Sequence, residues 1–154
     1  MFNMVGQAIK GARVLDLFAG SGSMGIEAMS RGASSCVMVE SHRGAIKCLK
    51  ENLNTLGLED RVAVSMERIP ECLSSTSVLG GEPFDLVLID PPFDAVQRGE
   101  FLNLENHIVD HLNPEAIVMV RVPEMFPKLP CSSAFEVIKE RRYGISVVIV
   151  KRKV

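Results

Sequence analysis

No apolar run in this 154-residue sequence is long enough to cross a bilayer. Runs such as Val14–Gly20, interrupted by Asp16, and Leu86–Ile89 are strand-sized and far short of the ~18 residues a spanning helix needs. Met1 to Gln7 lack a basic stretch followed by an apolar core, so the opening residues do not read as a signal peptide. None of the four cysteines forms a Cys-x-x-Cys pair. Cys36, Cys48 and Cys72 fall in apolar, periodic segments, and the set reads as buried, reduced thiols of a cytoplasmic protein. Strong positive charge is also missing. The formal net charge is −2, which argues against strong non-specific binding of nucleic acid. A local basic patch remains open at the C-terminal end, in Lys139, Arg141, Arg142, Lys151, Arg152 and Lys153. There is no low-complexity tract, repeat or linker. A composition of 47% hydrophobic and 23% charged residues fits one globular domain over 1–154.

What is present is a regular alternation of strand and helix signals. Strands are expected at Arg13–Leu17, Cys36–Val39, Arg61–Val64, Phe84–Ile89 and Glu115–Arg121, then at Phe135–Arg142 and Ser146–Val150, the last two joined tightly through Tyr143 and Gly144. Helices are expected at Met24–Arg31, stopped by Gly32, and at Arg43–Leu56, where Ala45, Ile46, Leu49, Leu53 and Leu56 keep helical spacing up to Gly57. A helix opening at Ile69–Leu73 dissolves into a flexible loop over Ser74–Gly81, and another spans Leu102–Leu112 before Pro114. The pattern predicts an α/β fold: a mostly parallel seven-stranded sheet, helices on both faces, and an antiparallel C-terminal hairpin strand. Ligands of such sheets bind beyond the carboxyl ends of the strands.

After the first strand comes Asp16-Leu-Phe-Ala-Gly20-Ser-Gly22-Ser-Met-Gly25, leading into a helix. Gly20, Gly22 and Gly25 match the spacing of a dinucleotide-binding loop, and Glu40 ends the second strand where an acid would meet a ribose. On spacing alone a nicotinamide cofactor is a fair reading. Asp16 argues otherwise, because a carboxylate is poor company for a pyrophosphate and suits a cationic ligand. S-Adenosylmethionine carries a sulfonium and an ammonium group. The glycines would let the backbone close on it, and Glu40 would accept its ribose hydroxyls.

The fourth strand ends in Asp90-Pro91-Pro92-Phe93. Consecutive prolines stop the strand and stiffen the chain beyond it. Asp90 and the Pro91 carbonyl are two acceptors, and Phe93 offers a flat ring. An exocyclic amine of a nucleobase needs this set. Its lone pair is delocalised into the ring, and two acceptors on its hydrogens turn that pair toward a methyl donor while the aromatic ring stacks on the base.

Val14–Ala33, Val39-Glu40, Asn52-Leu53 and Asp90–Phe93 together closely resemble the bacterial small-subunit (16S) ribosomal RNA guanine-N2-methyltransferases. The resemblance runs over nearly the whole chain and is most specific from Asp16 to Ala33. It implies a Rossmann-like class I S-adenosylmethionine methyltransferase that methylates N2 of one guanine in small-subunit rRNA, within an assembled or assembling 30S particle in the cytoplasm. It assigns Asp16, Phe18, Gly20, Gly22, Glu40 and Ser41 to the cofactor and Asp90, Pro91, Pro92 and Phe93 to catalysis on the guanine. Where the family often has an Asp after the third strand, this sequence has Ser65-Met66-Glu67, so Ser65 and Met66 are expected near the adenine. Family members also begin with an Arg-Pro-Thr type segment and a helix ending in Phe-Asn, to which Phe2-Asn3 correspond.

Other readings are weaker. His107 and His111 have helical i,i+4 spacing for zinc but no evident third ligand, and no metal is expected. His42 lies beside Glu40 and could touch the cofactor. Ser21 and Ser23 have no recognisable histidine partner and are not nucleophiles. The alternatives are an adenine-N6 methyltransferase of DNA or RNA, which usually needs a separate target-recognition region, a nicotinamide-dependent oxidoreductase, and an inactive, truncated cofactor-binding module.

Overall fold

The short apolar runs become the strands of one sheet. The computed structural model describes residues 1–74, 79–99, 102–126 and 131–154, so half of the loop expected over Ser74–Gly81 lies outside the described residues. The strands are β1 (Arg13–Leu17), β2 (Ser35–Val39), β3 (Val62–Ser65), β4 (Phe84–Ile89), β5 (Leu112–Pro123), β6 (Phe135–Tyr143) and β7 (Ser146–Lys153). Their order is β3-β2-β1-β4-β5-β7-β6. The first five are parallel, β7 runs antiparallel to β5, and β6 pairs antiparallel with β7. This is the mostly parallel seven-stranded sheet with an antiparallel terminal hairpin that the sequence pattern predicts.

The helices are α1 (Ser23–Ser30), α2 (Arg43–Leu56), α3 (Phe93–Arg98) and α4 (Leu104–Ile108), with 3-10 turns at Phe2–Met4, Gly6–Ile9, Glu71–Ser74 and Val109–His111. One face of the sheet, through Val14, Met38, Leu88, Met119 and Val150, packs under α1, α2 and the first two 3-10 turns. The other, through Leu15, Val37, Val87, Val118 and Val120, packs under α3, α4 and Leu73. Strands buried on both faces have no polar side to show, which is why they read as short continuous apolar runs.

The helix expected over Leu102–Leu112 is shorter, and β5 starts earlier than Glu115. Proline does not block the strand. Pairing with β4 jumps from Phe84↔Leu112 to Leu86↔Ile117, leaving Pro114 in an irregularity where no ladder hydrogen bond is asked of it. Cys48 is also a correction, since it lies on the exposed side of α2, as Cys131 lies exposed, while Cys36 and Cys72 are buried. Burial pushes the Cys72 thiol up to about 11 and the Cys36 thiol well above its ordinary value, so both stay protonated and unreactive.

The chain places β2 and β3 on one side of β1 and β4 on the other. Direction thus reverses between β1 and β4, the position where open α/β sheets make their ligand crevice. In register, Leu17 pairs with Val39 and with Ile89, so the loops beginning at Phe18, Glu40 and Asp90 open side by side.

Candidate active site

The loop after β1 is held by side chains from three other places. Asp16 does not project into the mouth of the crevice. It is 1% exposed, and its Oδ2 accepts the Gly25 amide at 2.8 Å, tying the first turn of α1 to the strand. Burial is the main reason its carboxyl rises to about 7. The Gly25 hydrogen bond opposes the rise, and the negative charges of Asp90 and Glu40 add to it. Glu40 collects three backbone amides. Gly20 donates to Oε2 at 2.8 Å, and Ser41 and His42 both donate to Oε1 at 2.8 Å. One carboxylate therefore joins the β1 and β2 loops. Asn52, on α2, donates to the Ser21 carbonyl at 3.0 Å and holds the loop from outside.

Two glycines have distinct roles. At Gly22 a Cβ would lie 2.3 Å from Leu49 Cδ1, so its absence lets α2 close on the loop. At Gly20, with φ +57, a Cβ would meet nothing within 4 Å. Phe18, where a side chain is present, also takes a positive φ of 64, which costs a non-glycine residue about 1 kcal/mol or more and turns the chain sharply out of β1.

Beside this loop opens a cleft of about 520 Å³. Of the residues expected at the cofactor, Phe18, Glu40 and Ser41 line it, whereas Gly20, Gly22, Ser65 and Met66 do not. Met66 is 55% exposed beyond the end of β3. The opposite wall is Glu67 to Glu71 with Arg98 from α3, residues that motif reading missed. The rule that loops after parallel strands build the site would have extended the search past Met66. His42 serves locally. Its Nδ1 accepts the Ala45 amide at 3.2 Å and caps α2.

At the end of β4, Pro91 is buried, Pro92 precedes the first turn of α3, and Phe93 stands 58% exposed at its start. The Pro92 carbonyl accepts from Val96 at 3.0 Å, so the helix uses that oxygen. Asp90 carries a partner the sequence did not suggest. Arg121, at the carboxyl end of β5, donates from Nε to Oδ1 at 2.7 Å and from Nη2 to Oδ2, a two-pronged pair. Neighbouring strands make the contact, and a gap of 31 residues hides it in the sequence.

The C-terminal basic patch mostly dissolves. Lys151 is buried against Glu105, Arg152 pairs with Glu136 and Glu115, and Arg142 pairs with Glu124. Lys153 donates to the Val109 and Leu112 carbonyls. His107 and His111 each face a backbone carbonyl, Asn103 and Leu73, at 2.9 and 2.8 Å. Among the described residues no cluster of three or more His, Cys, Asp or Glu could hold a metal, and no helix is long and apolar enough to cross a membrane.

Comparison with known proteins bears on this geometry. YlbH of Bacillus subtilis (strain 168) is 40% identical over 104 residues, 68% of this chain and 56% of that protein. Ribosomal RNA small subunit methyltransferase D of Escherichia coli (strain K12) is 32% identical over 136 residues, 86% of this chain and 65% of that protein. The chain thus spans less than two thirds of the length of either. A solved structure of a conserved hypothetical protein from Streptococcus pyogenes superposes with a TM-score of 0.87 at 30% identity, over 99% of this chain and 92% of that one. The conserved hypothetical protein 95 family matches residues 1–152, and the chain belongs to that family.

Proposed function

We propose that this chain transfers a methyl group from S-adenosylmethionine to the exocyclic N2 amine of a guanine in small-subunit rRNA. The observation that carries the reading is the side-by-side placement of two loops at the β1/β4 switch point. One is a backbone cradle with open space above Gly20, and the other is the stiff Asp90–Phe93 lip. The names of its relatives support rRNA as the substrate class.

The residues suit the cofactor. Gly20 leaves room for backbone approach, Glu40 and Ser41 lie on the cleft wall, and Phe18 presents a ring there. When bound, S-adenosylmethionine supplies an electrophilic methyl: the amine lone pair forms the C–N bond, the C–S pair returns to sulfur, and an N–H proton leaves to water. The protein's own work is orientation. The Pro91 carbonyl and Asp90 accept the amine hydrogens, and Phe93 stacks on a base taken out of its helix. Asp16 acts from below by fixing the loop through Gly25.

The test is transfer of labelled methyl to unmethylated small subunits, with naked rRNA and DNA in parallel. Label recovered as N2-methylguanosine is expected. Label on adenine N6, or none while the cofactor binds, overturns the reading.

A further inference from the structure

Among the cations of the C-terminal patch, Arg141 stands apart: it is exposed, and no described residue forms a hydrogen bond or ion pair with it. The register says where it points. Val148 of β7 pairs with Arg121 on one side and Arg141 on the other, so the two arginines share one face of the sheet, two strands or about 10 Å apart. Val148 belongs to the core under α1 and α2, which fixes that face as the one on which Asp90 meets Arg121. Lys139 shares it, two residues from Arg141 along β6, with Nζ on the Met4 carbonyl at 3.2 Å. Tyr143, 41% exposed, lies two residues further along. The acid and base that alternate with them, Glu140 and Arg142, face the opposite side, where Arg142 is tied to Glu124. On this face, exposed cations and an aromatic ring on the edge strand β6 thus stand two strands out from Arg121, which itself meets the acceptor lip, and spaced cations beside a ring are the pattern that tracks a single nucleic-acid strand.

We propose that Arg121 and Arg141 clamp phosphates of the RNA strand beside the target base, and that Arg121 exchanges Asp90 for a phosphate when the strand docks. The identity of the strand rests on the methyltransferase reading above. The Arg121 side chain is 45% exposed, so water and a competing anion can reach its pair with Asp90. A phosphate offers the same forked acceptor geometry. The exchange returns two acceptor positions to the Asp90 carboxylate when an amine arrives to use them.

The probe is a fluorescein-labelled RNA hairpin with one unpaired guanine, and a twin with inosine there, which lacks the N2 amine. Binding to the 154-residue chain is followed by anisotropy across a salt series, with S-adenosylhomocysteine titration as a folding control. R121Q and R141Q should each weaken binding about ten-fold at low salt and lower the slope of log affinity against log salt by about one. R142Q should change neither. D90N should bind the inosine hairpin a few-fold more tightly than the parent, and D90N/R121Q should lose that gain. Unchanged slopes in R121Q and R141Q, or an equal loss in R142Q, overturn the clamp. No gain in D90N overturns the exchange. Binding needs no turnover, so a chain that grips RNA through these arginines yet transfers no methyl leaves the clamp standing and sinks the guanine-N2 reading.

Discussion

The two halves of the site are built on opposite plans. The β1 loop is a backbone object: Glu40 holds three amides, Asp16 one, and Asn52 a carbonyl, so its polar supports are engaged without any ligand. The Asp90–Phe93 lip is a side-chain object, with one exposed ring and one carboxylate held by a half-exposed arginine. A cradle that must fit one invariant molecule gains from being finished in advance. On the proposed function, a lip that admits a base from a large, variable polymer gains from a contact that water and phosphate can compete for. The difference teaches which substitutions act on shape and which on chemistry.

The largest expected effect is on the fixed half. Asp16 titrates at 3.8 when unfolded and at about 7 in the fold. Between those values the folded chain holds a proton that the unfolded chain has released. Stability therefore falls as pH rises from about 4 to about 7, by on the order of 4 kcal/mol. Asp16→Asn keeps an acceptor for Gly25 and removes the titration. Urea unfolding at several pH values should show the variant gaining on the parent across that window, and a gap that stays constant with pH would contradict the buried-acid assignment. Next is Asp90→Ala, which should cut methyl transfer by about 100- to 1,000-fold, the range for losing one positioned polar group at a reacting centre. Cofactor affinity by calorimetry should stay within a few-fold. A parallel loss of both would erase the proposed division between the halves.

Gly20→Val sharpens the comparison from the cradle side. The side chain would fill the open space over the loop, at a φ of +57 that valine resists, and S-adenosylmethionine affinity should fall by at least about ten-fold. Wild-type affinity would move the cofactor elsewhere. This loop was also the most legible part of the sequence, because local rules write it: a strand, glycines at fixed offsets, then a helix. The mostly parallel sheet with its terminal hairpin followed from the same alternation, and so did α2, whose apolar spacing and final Gly57 gave both its bounds. What the sequence hid was long-range or subtractive. Arg121 reaches Asp90 only because β4 and β5 are neighbours. Lys151, Arg152 and Lys153 looked like a patch because their partners, Glu105, Glu136 and two carbonyls, are distant in the chain. Pro114 read as a helix stop, since nothing local announces an irregular pairing that absorbs it.

Asn52→Ala makes the smallest expected change and asks the most of the two-plan picture. Its side chain touches no part of the cleft wall, and its contact with the loop is one hydrogen bond to the Ser21 carbonyl. An exposed neutral hydrogen bond is worth about 1 kcal/mol, so global stability should move little, a few degrees in thermal midpoint. If the cradle works because it is finished in advance, releasing this outer tie should still weaken cofactor binding by about five-fold, through a less ordered loop and not a lost contact. Asn52 hydrogen-bonds to Ser21 and Cys48 and not to the lip, so methyl transfer at saturating cofactor should be unchanged. Equal losses in affinity and in saturated rate would mean that the loop and the lip move as one body, and the contrast between them would then be one of composition alone.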